Sequence, residues 1–248
     1  MKRETLEFWK NFGANWTSLL AANVLLFPFM LPLAAWIIIC QCYSSLIMIS
    51  GAPFYYYYII SYGGLLLTTL LYFIGLSGYV NAVAGIVFQL RGDVRQMFKE
   101  GLKKNVGRYL LNGLAVWGSA TIAVASSVIW LATDFNVLFI GAAVAISLLQ
   151  TLIVVPTAFL NMAQNVFFED KMGDTLKNSL KILLVKPSVT LFAALAVLPF
   201  AITIILPFVA QTSAWILYGF AFVTFSAVSF LLKAKRTFDG ITGIGNQE

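Results

Sequence analysis

The chain has 248 residues, of which 60% are hydrophobic and only 10% charged, with a net charge of +6 and no histidine. A soluble domain carries about 25% charged residues, so this composition excludes an ordinary water-facing surface and leaves room for about six apolar spans of ~20 residues each. Without histidine there is no Ser-His-Asp triad, and two cysteines alone, Cys40 and Cys42, argue against a His/Cys zinc or haem site.

All 16 Lys and Arg residues fall in four segments: Lys2 to Lys10, Arg91 to Arg108, Lys171 to Lys186, and Lys233 to Arg236. Apolar runs and cation-free loops separate them. This is the positive-inside pattern. It predicts an all-α integral membrane protein of the plasma membrane, a six-transmembrane-helix bundle with two cytoplasmic amphipathic helices and both termini cytoplasmic. Cations flanking spans meet the anionic inner leaflet, so the net positive charge points to a lipid surface and not to nucleic acid.

Residues 1–15 read as a short amphipathic segment whose Phe8, Trp9, Phe12 and Trp16 suit the interface. The first span covers about 17–40, and its Pro28 and Pro32 predict a kink. An outer connection is expected over 41–57, with Gly51, Pro53 and the run Tyr55 to Tyr58 in an aromatic belt. The second span, about 58–90, is longer than the hydrocarbon requires. Its Gly63, Gly64, Gly75, Gly78 and Gly85 allow close helix approach.

Residues 92–106 predict a basic amphipathic helix. Asp93 is its N-cap, Val94, Met97, Phe98 and Leu102 share one face, and Arg95, Lys99, Lys103 and Lys104 take the others. Span three follows at 109–132 and span four at 137–168, with Pro156 in its middle. A second cytoplasmic helix is expected at 174–185, capped by Asp174, with Leu176, Leu180, Leu183 and Leu184 along one side. Spans five and six cover about 188–209 and 213–232. The order of long span, basic helix and ordinary span occurs twice, over 58–132 and 137–209, as a weak parallel repeat within one polytopic domain.

No span core contains an acid or a cation. Asp134 is the one acid outside the cytoplasmic segments. Intramembrane charges usually mark ion pathways or proton relays, so their absence argues against a proton-coupled transporter and against an intramembrane protease. No phosphate loop or nucleophile elbow is present. These readings predict a non-enzyme without a cofactor, a catalytic residue or a metal site. What remains inside the bilayer is amides and hydroxyls. Asn161, Gln164 and Asn165 share one face of span four by their spacing. Asn81 and Gln89 occupy the comparable part of span two, with Asn23, Asn112 and Gln150 elsewhere. They form either a polar intramembrane site, with Asn81, Asn161, Gln164 and Asn165 its candidates, or interhelical contacts worth about 0.6 kcal/mol each.

Several segments carry a resemblance: Asn23-Val-Leu-Leu-Phe-Pro-Phe-Met-Leu-Pro32, then Gly78-Tyr-Val-Asn-Ala-Val-Ala-Gly85, Arg91-Gly-Asp93 and Met97-Phe-Lys-Glu-Gly-Leu-Lys-Lys-Asn105, and finally Leu176-Lys-Asn-Ser-Leu180 with Lys186-Pro187. The pattern resembles the YesL-like family of bacterial integral membrane proteins. It departs from that family in the tyrosine-rich connection and in Lys186, where asparagine is usual. The resemblance implies a six-span protein of Gram-positive bacteria, working near carbohydrate uptake or sensory systems. It supplies no catalytic residue. The expected function is accessory or regulatory, beside a carbohydrate ABC transporter or a sensor. In that role Arg91, Arg95, Lys99, Lys103, Lys104, Lys177 and Lys181 contact a partner or anionic lipid. The alternative is a solute transporter or permease subunit in its own right, although no E-A-A-x-x-x-G coupling helix is found.

Overall fold

A computed structural model describes residues 9–10, 12–50, 54–89, 93–132, 137–168, 171–186, 188, 231 and 234–238, with side chains over most of them. The described residues form helices and no strand. Helix α1 spans Trp16–Ser50, α2 Phe54–Gln89 and α3 Val94–Ala132. Then α4 spans Val137–Leu149 and leads through a π-helical turn, Gln150–Val154, into α5, Val155–Phe167. Helix α6 spans Met172–Val185. Within these, Trp16–Cys40 and Ile60–Phe88 are long and apolar enough to cross a membrane, and Leu152–Phe167 is a shorter apolar helix. The predicted spans 188–209 and 213–232 lie outside the described residues apart from Ser188 and Leu231. So do Arg91, Asp134, Pro187 and Lys233, and the side chains of Tyr55 to Tyr58, Gln89 and Gln150.

Three boundaries differ from the sequence expectation. The connection expected over 41–57 is mostly helix, because Gln41 to Ser50 contains no breaker and the first punctuation is Gly51 and Pro53. Helix α1 continues through Pro28 and Pro32. The basic helix expected at 92–106 and the span expected from 109 are one helix of 39 residues. Only Gly107 and Arg108 stand between them, and a single glycine costs a helix about 1 kcal/mol without ending it. Finally, Pro156 stands in the first turn of α5, after the π turn Gln150–Val154, and not in the middle of one regular α-helix over 137–168. It lacks the N–H of the i→i−4 bond and crowds the carbonyl four residues earlier, and the preceding turn widens to the π form.

Helix α2 is the centre of the fold. Its C-terminal half, Phe73 to Val87, is largely buried, and α1, α3 and α5 all pack on α2. Glycines set the approach on both sides. The indole of Trp36 lies over Gly64 and the ring of Phe29 over Gly75, seating α1. On the other side Phe98 fills the space beside Gly78, and Met97 that beside Gly85. At Gly101 the two backbones meet: a Cβ there would stand 2.5 Å from the Ser77 carbonyl oxygen and 2.9 Å from the Gly78 Cα. Gly63 has open space around it and plays no part in packing. Two indoles tie the three helices further, Trp36 Nε1 donating to the Ser61 carbonyl at 2.9 Å and Trp117 Nε1 to the Tyr62 carbonyl at 3.2 Å.

The window of α1 that could cross a membrane is only 17% buried, against 72% for that of α2. Large apolar side chains stand out of the fold on several helices, among them Val24, Ile39, Leu67, Ile122 and Leu138.

Candidate functional site

The ends of several elements meet at one end of the bundle. Gly85, near the end of α2, touches Met97 at the start of α3. Phe88 packs edge-to-face on Phe167 at the end of α5, with ring centroids 5.5 Å apart. Phe238 packs on Phe167 at 6.3 Å and on Phe168 at 5.5 Å. Lys235 Nζ lies 5.7 Å from the centre of the Phe88 ring, a cation–π contact. Basic segments far apart in sequence therefore share this end.

The start of α3 is built as the spacing predicts. Asp93 Oδ1 accepts from the backbone N–H groups of Arg95 and Gln96, at 3.1 and 3.2 Å, which makes Asp93 the N-cap. Val94, Met97, Phe98, Gly101 and Asn105 are buried, one stripe at helical spacing. Leu102 is half-buried, while Arg95, Lys99, Lys103 and Lys104 are exposed on the remaining arc. Asn81 Nδ2 donates to the Met97 carbonyl at 2.7 Å and pins the stripe to α2.

Helix α6 is amphipathic in a way the leucines do not predict. Its N-cap is Lys171, and Asp174 stands in the first turn without a side-chain capping bond, so the expected Asp174 cap is not formed. Thr175 and Ser179 are wholly buried, along with Ile182 and Leu183, whereas Leu176, Leu180 and Leu184 are exposed. The small hydroxyls go inside because they turn their polarity onto the helix itself. Thr175 Oγ1 donates to the Met172 carbonyl and Ser179 Oγ to the Thr175 carbonyl, so neither is buried unbonded. Lys177 and Lys181 are exposed.

The amides divide between two places. Asn81 serves the α2–α3 contact. Asn161, Gln164 and Asn165 come together on the buried face of α5, each under 5% exposed. There α3 meets them: Arg108 Nη1 donates to Asn165 Oδ1 at 2.9 Å, and Tyr109 Oη donates to the Met162 carbonyl at 3.1 Å. Asn165 Nδ2 then donates to Asn161 Oδ1 at 2.7 Å. Asn105 and Asn112 of α3 and Thr157 of α5 are buried as well. Arg108 and Tyr109 are not singled out from the sequence as partners of these amides. The signal was there in the spacing, since 101, 105, 109 and 112 lie on one helical face.

Among the described residues the geometry offers hydrogen bonding and charge, and no nucleophile paired with a base. Cys40 is buried and Cys42 exposed, both as free thiols. Among the described residues no cluster of three His, Cys, Asp or Glu could hold a metal ion. A cleft of about 280 Å³ lined by Trp36, Ile39, Cys40, Ile60 and Ser61 is almost wholly apolar. No family model matches the chain, and neither the curated proteins nor the solved structures give a match to it.

Proposed function

We propose that the chain is a multi-pass protein of the plasma membrane with six spans and cytoplasmic termini. In this reading it is an accessory or regulatory subunit that presents a fixed cationic surface to an acidic partner protein. The single observation that carries this reading is the build of α3. One arc of its first turns is locked onto α2 through Gly78, Gly85 and Gly101, and the other holds Arg95, Lys99, Lys103 and Lys104 in water. A surface held rigid before binding loses less entropy on docking than a mobile arm. The meeting of basic segments at one end supports the orientation, and the apolar side chains standing out from α1, α2 and α3 support a lipid surround, since soluble monomers rarely expose such area. The setting beside a carbohydrate importer or a sensor rests on the resemblance to the YesL-like family alone.

Copurification from the native membrane in mild detergent tests the reading. The wild-type chain is expected to bring down a stoichiometric partner, and the double substitution Lys99→Glu and Lys103→Glu to release it with the fold intact. A partner retained by the charge-reversed chain overturns the docking surface. Loss of binding to vesicles rich in anionic lipid, with no protein partner found, assigns the same surface to the leaflet instead. The second reading, a solute transporter in its own right, is favoured by the buried amide face of α5. It is tested by solute uptake into liposomes holding the purified chain alone.

A further inference from the structure

Helix α6 sorts its residues into arcs around its axis. At about 100° per residue, Thr175, Ser179, Ile182 and Leu183 occupy one arc, and all four are buried. Leu176, Leu180 and Leu184 come next around the helix, 42%, 39% and 80% exposed. Lys177 and Lys181 follow, then Asp174 and Asn178, all four exposed. Core, apolar stripe, cations and water-seeking groups thus succeed one another around a single helix of 14 residues. Val185, exposed at the last position, is the exception, since it falls on the polar side.

Neither bulk surrounding suits this order. Water leaves the leucines at i, i+4 and i+8 uncovered as one stripe that adds little to the packing of the fold. Hydrocarbon would take the lysines and Asp174 along with the leucines, and charged side chains are strongly disfavoured there. The boundary between the two suits both, because a lysine stem runs along apolar surface and lifts its ammonium to the headgroups. Lys171 and Lys186, at the two ends, are exposed as well, so four cations and one acid face outward between them. That balance favours an anionic surface. The chain also delivers α6 to the right level. The apolar helix Leu152–Phe167 finishes at the basic end of the bundle. Five residue steps lead from Phe167 to Met172, a reach of at most about 17 Å. Helix α6 therefore begins near the depth at which that apolar helix finishes, and it packs on α5.

We infer that α6 is an interfacial helix: Leu176, Leu180 and Leu184 enter the acyl region of the inner leaflet, and Lys177 and Lys181 bind anionic headgroups. Such a face lies about 5–10 Å deep in the boundary between headgroups and acyl chains. The occupant is lipid and not a second copy of the chain or another protein. A leaflet presents acyl chains, headgroup charge and water in that order, and α6 presents their complements in the same order. A protein groove covering the leucines would need no such gradation. The inference rests on the membrane setting proposed above and not on a partner docked at α3.

The test uses the full-length chain carrying Cys42→Ser, reconstituted in vesicles of phosphatidylcholine and phosphatidylglycerol. Cys40 is buried, and the parent without an added cysteine measures any label it takes. A bimane probe is attached at Leu180→Cys, Leu184→Cys, Asn178→Cys or Leu67→Cys, and its quenching by acyl-brominated phosphatidylcholine is recorded. Leu67, 70% exposed in the apolar stretch of α2, reports on the membrane setting itself. Quenching is expected at Leu67, Leu180 and Leu184, and at Asn178 to be roughly twofold weaker or less. Lys177→Glu with Lys181→Glu is expected to lower quenching at Leu180 by about twofold or more. Quenching at Leu67 with no more at Leu180 and Leu184 than at Asn178 overturns the interfacial helix and leaves the membrane setting standing. A blue-shifted but unquenched probe at Leu180 overturns it too, and gives the stripe to protein. No quenching at Leu67 overturns the membrane setting and the inference with it. Quenching at Leu180 that survives the charge reversal unchanged overturns the headgroup contact.

Discussion

Gly101 is the position with least tolerance in the described structure. The atoms a methyl group would meet there belong to the α2 backbone, which cannot swing aside as a side chain can. Gly101→Ala is therefore expected to destabilise the chain by about 1–3 kcal/mol despite its better helix propensity. Gly63→Ala is the control. With nothing within 4 Å, it should gain up to about 1 kcal/mol. Thermal unfolding of both in the same detergent gives the comparison, and equal shifts would deny the close crossing. At Asp93 the two accepted N–H bonds predict that Asp93→Ala costs about 1 kcal/mol. Faster amide exchange at Arg95 and Gln96 should accompany it. That cap was legible in the sequence because capping is local: an acid directly before an apolar stripe.

At the scale of elements, legibility follows the range of the interactions. The stripe of Val94, Met97 and Phe98 was readable because its pattern and its burial coincide. Helix α6 was misread because apolar character and burial part company there. Leu176, Leu180 and Leu184 are exposed, while Thr175 and Ser179 join Leu183 in the core with their hydroxyls bonded to their own helix. No spacing rule distinguishes the two faces when both repeat every four residues. The expected consequence is a reversal of the usual substitution pattern. Leu176→Gln or Leu180→Gln should change stability by less than about 0.5 kcal/mol, whereas Ser179→Leu should cost about 1–3 kcal/mol by overpacking. Urea unfolding of the three variants decides it, and a costly Leu176→Gln would place the leucines inside. The π turn before Pro156 was half legible. The proline announces a broken hydrogen bond, but whether a helix answers by kinking, ending or widening depends on what packs beside it.

For the whole molecule, the helical class and two helices long and apolar enough to cross a membrane, Trp16–Cys40 and Ile60–Phe88, were legible from composition and hydropathy, because a bilayer imposes length and polarity directly on sequence. The amide cluster was visible only on the α5 side. Its α3 half, Arg108 with Tyr109, joins it across more than 50 residues of chain, a pairing that no local pattern encodes. The proposed orientation has its own test. A membrane-impermeant maleimide applied to intact cells should label Cys42, which is exposed in α1 far from the basic end. A Lys99→Cys substitution in a Cys42→Ser background should react only after permeabilisation, and the reverse order would invert the topology. Helix α3 remains, 39 unbroken residues and about 58 Å at 1.5 Å per residue. Lys99 near one end, Arg108 on the amide cluster and Trp117 on the Tyr62 carbonyl are fixed to the same rod. A torque applied by a partner docked as proposed would meet no break in this helix in which to dissipate. It would twist the Arg108 anchor and the indole latch together, so that the charged end and the interior would turn as the two arms of one crank.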